Sequence, residues 1–357
     1  MTSNLTIYDS VYGTRDLDDY FITDAWIIDQ YAGNTLWAWG GNSLGDLGVG
    51  DVVHRSSPVQ VGGLTNWVSV TGIYGSQYSV KNDGSLWDWG PSILGELGQG
   101  TTFTYYSSPI QLGTLTNWKL VDGGQYWAGA INTSGNLYTW GGSSTAGTLG
   151  QNSTSAATSP VQVGTLSNWK MLATAYAAGA AVKLDGTLWT WGASVYGESG
   201  RSLTTSVSSP VQVGSLTTWS IVKAGAYYFN AIKTDGSLWA WGHNAYGQIG
   251  DQTIIHRSSP VPVGTLTTWK QVYSGRYSVV AIKTDGTMWG WGHNSYGTLG
   301  LNDVNHRSSP VQIGSLSTWK YCSVGANHAG AIKTDGTLWT WGYNAVSYTH
   351  LTLPTKA

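Results

Sequence analysis

Seven histidines and a single cysteine, Cys322, are the side chains best suited to hold a metal or carry a proton in this chain of 357 residues. Three of the histidines share one setting: His54-Arg55, His256-Arg257 and His306-Arg307 each stand directly before Ser-Ser-Pro. Equivalent histidines resemble a ligand set, but zinc needs its donors within about 2.1 Å, and equivalent loops of separate units stand too far apart for that. The expectation is no metal and a loop contact copied by duplication. Arg55, Arg257 and Arg307 are secondary candidates for contact with an acidic partner. His243 and His293 sit in Trp-Gly-His-Asn, and His328 opens a β-prone run. None has a serine or cysteine at a recognisable spacing, and no strained Gly-x-Ser-x-Gly turn occurs. A triad is defined by geometry and not by order, so only the familiar motifs are absent. There is no phosphate loop or dinucleotide fingerprint. Asp235, Asp285 and Asp335 of the Thr-Asp-Gly segments are adequately explained as turn formers. No catalytic residue and no cofactor is assigned.

Composition points the same way. Charged residues are 10% of the chain and the net charge is −2. A phosphate-tracking surface needs clustered Lys and Arg, so no nucleic-acid partner is expected. No apolar run approaches the roughly 18 residues of a membrane span, and the first twenty residues lack a basic and then apolar signal-peptide pattern. One cysteine allows no internal disulfide and leaves the compartment open. With 49 glycines and 21 tryptophans the chain is rich in turns and aromatics, and disordered chains are poor in the latter.

Self-similarity dominates. Leu-Trp-x-Trp-Gly occurs at 36–40, 86–90, 188–192, 238–242 and 338–342, with variants at 137–141 and 288–292. The second aromatics, Trp39, Trp89, Trp140, Trp191, Trp241, Trp291 and Trp341, are spaced 50, 51, 51, 50, 50 and 50. Pro58, Pro109, Pro160, Pro210, Pro260 and Pro310 are each followed nine residues later by a Trp and seventeen after that by a turn glycine. All length variation falls between the Trp-Gly and the proline, so one loop tolerates insertion while packing fixes the rest. A period near 50 signals a propeller, solenoid or array.

Each unit reads as four short strands. In 231–242, AIKTDGSLWAWG, an Asp-Gly pair between β-prone runs predicts a type I′ hairpin turn. It joins strands at Asn230–Thr234 and Ser237–Trp241. A loop leads to a third strand opened by Pro260, where a missing N–H is tolerated. A fourth begins at Trp269. Nineteen of the tryptophans occupy the two repeat motifs, leaving Trp26 and Trp127 outside. Such side chains bury about 150–250 Å² each, so they are expected to form the core between blades. The expected fold is all-β: a seven-bladed β-propeller of four-stranded antiparallel blades, the last incomplete.

The combined pattern G-x5-A-I-K-T-D-G-T-L-W-x-W-G-x-N-x-x-G-x-L-G with S-S-P-V-Q-V, seen in 275–300 and 308–313, resembles the repeat of the regulator-of-chromosome-condensation family. The resemblance covers about 21–344 and implies a seven-bladed propeller. The family's histidine after the opening glycine survives only at His328; Ser76, Trp127, Ala178, Tyr228 and Ser278 hold the matching places. No unit has room for the wedge of the exchange-factor members, and no Gly-Trp-Arg-His-Thr motif of the ultraviolet photoreceptors occurs.

The ends depart from the repeat. Residues 1–20 read as a separate segment and a candidate to close the ring, 21–345 as the propeller, and 346–357 as a tail resembling a translated sequencing adapter. The expectation is an open reading frame of metagenomic origin, cut short.

Strand one begins and strand two ends on the same face of the disc. That face therefore carries the variable loops together with Trp26, Gln125, Tyr126, Trp127, Tyr227, Tyr228, Arg276, Tyr277, Asn327 and His328. These residues either anchor a partner, as variation on a rigid scaffold suggests, or fill the mouth of the central channel. The reading is a non-enzymatic scaffold that binds a protein, as a microbial or phage surface or structural component. The alternatives are a glycan-binding propeller and, by resemblance alone, nucleotide exchange on a small GTPase.

Overall fold

The computed structural model describes residues 6–7, 23–28, 35–73, 75–142 and 146–343, the first two stretches by backbone alone. The tail at 346–357 and nearly all of the segment 1–20 lie outside these residues. Every element among them is a strand. The strands form seven sheets, six of four strands and one of three. The fifth sheet shows the plan: Trp219–Ala224, Tyr228–Lys233, Leu238–Gly242 and Arg257–Pro262 pair antiparallel in chain order. First strands of successive sheets touch one another, so they surround the axis and the fourth strands form the rim. Thr6–Ile7 supplies the first strand of the first sheet and touches Trp319–Val324 of the seventh. The seventh sheet ends with Leu338–Gly342.

Two local expectations change. The Asp-Gly turn is not type I′. Asp235 keeps an ordinary negative φ and only Gly236 is left-handed, at φ 79°. The Gly236 N–H donates to Lys233 C=O at 3.0 Å, giving a type I turn closed by a glycine bulge. The reason is the Asp235 carboxylate, which accepts from both the N–H and the hydroxyl of Ser237, at 2.9 and 2.6 Å. Glycine is required here twice over, since a Cβ would also lie 2.2 Å from the Thr267 carbonyl. The proline does not open its strand either. Pro260 is the fourth residue of Arg257–Pro262 and falls where the register slips between Ala240 and Gly242. A bulge needs no ladder N–H at that point, which is why proline fits there.

The tryptophans seal the sheets together. The second motif indoles donate to a backbone carbonyl of the preceding blade: Trp89 to Asp46, Trp140 to Glu96, Trp191 to Thr148, Trp241 to Glu198, Trp291 to Gln248 and Trp341 to Thr298, all at 2.8–3.1 Å. Trp89, Trp140, Trp191, Trp241 and Trp291 are fully buried. The tryptophans opening the first strands, such as Trp219 and Trp269, are buried too. The first motif tryptophans are only half-buried, Trp339 being exposed, and play another part. Trp239 meets Trp219 edge to face at 6.1 Å, and the Lys233 ammonium lies 4.9 and 3.6 Å from the two ring centres. Lys81, Lys183, Lys283 and Lys333 repeat this cation–π arrangement.

Candidate functional site

The two ends of the disc differ in chemistry. At one end lie the Asp-Gly turns, each held by an Asp carboxylate on a Ser or Thr that in turn accepts the indole N–H of the first motif Trp. At the other end lie the long loops between the third and fourth strands of the four-stranded sheets and the short turns that open the second strands.

The residues singled out in the sequence separate into two groups at that loop end. Trp127 and Tyr228 are buried and offer no surface, which corrects their assignment as binding residues. Each reaches the next blade: Trp127 Nε1 donates to Ala175 and Tyr176 carbonyls at 3.0 and 3.2 Å, and Tyr228 Oη to Gly275 and Ser278 carbonyls, both at 2.9 Å. Gly124 and Gly225 make room for them, since a Cβ there would meet the ring at 2.1 and 2.0 Å. His328 is likewise buried. Gln125, Tyr126, Tyr227, Arg276, Tyr277 and Asn327 are half-buried and do line this end. Trp26 pairs with Trp37 across its sheet, and its side chain lies outside the described residues. The Arg276 guanidinium stands 5.1 Å from the centre of the Tyr277 ring. The short turns themselves are linked around the axis, Tyr176 N–H to Ala226, Ala226 N–H to Arg276 and Arg276 N–H to Gly325, at 3.0, 3.1 and 3.4 Å.

Sequence reasoning missed the main feature of this end, a continuous ribbon of tyrosine and histidine rings. Tyr176 meets Tyr227 at 4.9 Å and Tyr227 meets Tyr196 at 5.6 Å. Tyr196, from a loop of the fourth blade, reaches His243 and His256 of the fifth at 4.7 and 5.0 Å. One blade on, Tyr246 reaches His293 and His306 at 4.9 and 5.2 Å. Tyr296 then reaches Tyr343 at 5.0 Å. Within each blade the two imidazoles stack, His243 on His256 and His293 on His306, both at 4.8 Å. The signal was Tyr196, Tyr246 and Tyr296, each before a glycine and 50 residues apart, the last two just after Trp-Gly-His-Asn. Along the ribbon stand exposed aliphatic tips, among them Val195, Ile254, Ile255 and Val304.

Electrostatics fix the state of these groups. Burial, with His256 beside it, lowers the His243 pKa to about 4. Burial, with His306 and Arg276, does the same for His293. Both are neutral near pH 7. His54, His256 and His306 are loop ties, each accepting through Nδ1 the backbone N–H of Asn42, Asn244 and Asn294 at 2.8, 2.9 and 3.0 Å. Arg55, Arg257 and Arg307 pair within their own loops with Asp51, Asp251 and Asp303, all at 2.5 Å. The loops rest on buried acceptors. Glu198 takes the Tyr196 N–H at 2.7 Å and desolvation raises its pKa to about 7. Asp46 at the equivalent place is raised to about 6 by the same cause. Among the described residues no three His, Cys, Asp or Glu side chains converge as a metal set.

A ring of seven antiparallel sheets, six of its joints carrying an indole bond, defines a β-propeller with seven blades. The chain belongs to the RCC1-like domain family, whose model matches residues 35–352. No curated protein matches it. Solved structures similar in fold include yeast RCC1 (Prp20) bound to Kap60, at 18% identity and TM-score 0.76 over 86% of this chain and 78% of that one. Prp20p of Saccharomyces cerevisiae, described with its binding properties to Gsp1p and histones, gives 18% and 0.77 over 88% and 82%. Human WBSCR16 gives 16% and 0.77 over 93% and 87%.

Proposed function

We propose that this propeller is a non-enzymatic scaffold that binds a protein through its loop end. The observation that carries this reading is the ribbon of tyrosine and histidine rings, most of them half-buried with His256, Tyr296 and His306 exposed, edged by exposed aliphatic side chains. Tyrosine is enriched in interface cores because it combines a large rigid apolar body with a polar tip. The histidines of the ribbon's inner row are uncharged at neutral pH, which lowers the cost of covering them. The loops beneath are tied by ion pairs, imidazole–backbone bonds and buried carboxyls, so little ordering entropy is lost on binding. Yeast RCC1 bound to Kap60 in one structure, and Prp20p described with its binding properties to Gsp1p and histones, support a binding role for the fold.

The test compares two sets of variants in a capture experiment read by mass spectrometry. Tyr196→Ala with Tyr246→Ala alters the loop end; Trp339→Ala alters the turn end. A protein retained by the wild type and by the turn-end variant, but lost from the loop-end variant, supports the reading. Equal capture by all three refutes it. Hits on a glycan array that depend on Tyr196 and Tyr246 would replace the protein partner with a sugar.

A further inference from the structure

The turn end carries a feature that the loop-end reading does not use. In six of the seven blades the first strand contains a bulge directly after its tryptophan. In the fifth blade Trp219 faces Lys233 and Ile221 faces Ile232, leaving Ser220 unopposed. The equivalent unopposed residues are Val68, Lys119, Lys170, Lys270 and Lys320. A bulge turns its extra side chain out of the ladder. These first strands surround the axis, and their tryptophans sit at the turn end, where the Trp N–H of one blade donates to the turn glycine of the blade before, as from Trp269 to Gly236 at 3.1 Å. Four lysines therefore border the mouth of the central channel at that end. Lys119 and Lys270 are exposed; Lys170 and Lys320 are half-buried.

The charges around this mouth are arranged in two zones. Farther from the axis, Asp83, Asp185, Asp235, Asp285 and Asp335 of the hairpin turns are matched by Lys81, Lys183, Lys233, Lys283 and Lys333 of the same hairpins. Nearer the axis, Asp122 is the one acidic residue on a first strand among the described residues. It lies toward the far end of its strand, bonded to Thr174 and Thr71 from the neighbouring blades at 2.8–3.2 Å, and it feels the charge of Lys223. The inner zone is thus positive inside a balanced border. Arginine forks, the usual readers of phosphate, are absent from the first strands; all five described arginines lie elsewhere.

From this we infer a second binding site: the lysine-bordered mouth takes an extended acidic peptide, whose carboxylates meet Lys119, Lys170, Lys270 and Lys320 in turn. Lysine suits this task, being a point charge on a flexible stem that follows a chain of carboxylates without fixed geometry. The balanced outer zone offers a wide polyanion such as duplex nucleic acid no added attraction, and the narrow inner one favours a single strand of chain. This site is independent of the loop end.

The test uses the full chain and a fluorescent decaglutamate peptide, followed by anisotropy. Serine already occupies the position in the fifth blade, so Lys119→Ser, Lys170→Ser, Lys270→Ser and Lys320→Ser are combined. The expected result is saturable binding that weakens roughly tenfold or more in the quadruple variant and falls steeply as salt rises from about 50 to about 300 mM. If the quadruple variant does not fold, Lys119→Ser with Lys270→Ser is measured instead, with a loss of roughly threefold expected. The Tyr196→Ala, Tyr246→Ala protein should bind the peptide unchanged, which separates this site from the loop end. The proposal is overturned by absence of saturable binding or by equal affinity in the lysine variant. It is equally overturned if inorganic tripolyphosphate binds more tightly with the same lysine dependence, which would make the mouth a phosphate site.

Discussion

The two ends of the disc are built from the same repeats and obey different rules. At the turn end, five hairpins repeat one arrangement almost atom for atom: carboxylate on hydroxyl, hydroxyl on indole, ammonium against two indoles. At the loop end the same repeat position holds Asp46, Glu96, Thr148, Glu198, Gln248 or Thr298. What stays constant there is the backbone: the carbonyl of each accepts an indole N–H from the next blade. Chemistry is free to vary at the loop end because the structural bond runs through the main chain. At the turn end the bond runs through side chains, and the side chains are uniform.

That contrast can be broken by substitution. The largest effect is expected where the blades join. Trp241→Ala removes a fully buried indole and should cost about 3–5 kcal/mol in denaturant unfolding. Next comes Gly236→Ala, which forces a Cβ against the Thr267 carbonyl at a left-handed position. The expected loss is about 2–4 kcal/mol, with capture at the loop end unchanged in the folded fraction. A loss near zero would show that the turn end is less rigid than its uniformity implies.

The buried carboxyls of the loop end give a pH dependence. Glu198 is raised from 4.5 to about 7 and Asp46 from 3.8 to about 6. A raised carboxyl favours folding fully while it is protonated in both states. That contribution is lost as pH climbs from the unfolded value through the folded one. Stability should therefore decline between pH 4.5 and about 7. Glu198→Gln should flatten the decline by roughly 2–3 kcal/mol, as Gln248 fills the equivalent place in the fifth blade. Thermal melts across that range check it. The smallest effects belong to the loop surface. His256→Ala, which frees the Asn244 N–H, should cost about 1 kcal/mol. Arg257→Met, which breaks a partly exposed ion pair, should cost less than about 1 kcal/mol. Unfolding in denaturant resolves the first and, with replicate curves, bounds the second.

The blade number and the buried role of the second motif tryptophans were legible because invariant spacing reports invariant packing. The grouping of strands was not, since the Trp269 strand read as the last of its unit opens the next sheet, and the first motif tryptophans expected in the core are at most half-buried. The handedness of the turn residues was not legible either. Asp-Gly serves type I′ and type I-plus-bulge turns alike, and the hydroxyl that follows decided between them. The candidate site was legible only in part. Trp127 and Tyr228 looked like surface variation, yet each fills the gap left by a glycine three residues earlier. The ribbon was hidden for a different reason. Tyr196 comes from one repeat and His243 and His256 from the next, and a contact that crosses blades leaves no short-range pattern in the chain.

The reach of each indole has one more consequence. Trp241 docks on Glu198, 43 residues behind it, so a loop acquires its lid only once the following repeat exists. On a ribosome, a nascent propeller of this kind would mature one module late, every newly finished segment curing the one made before it.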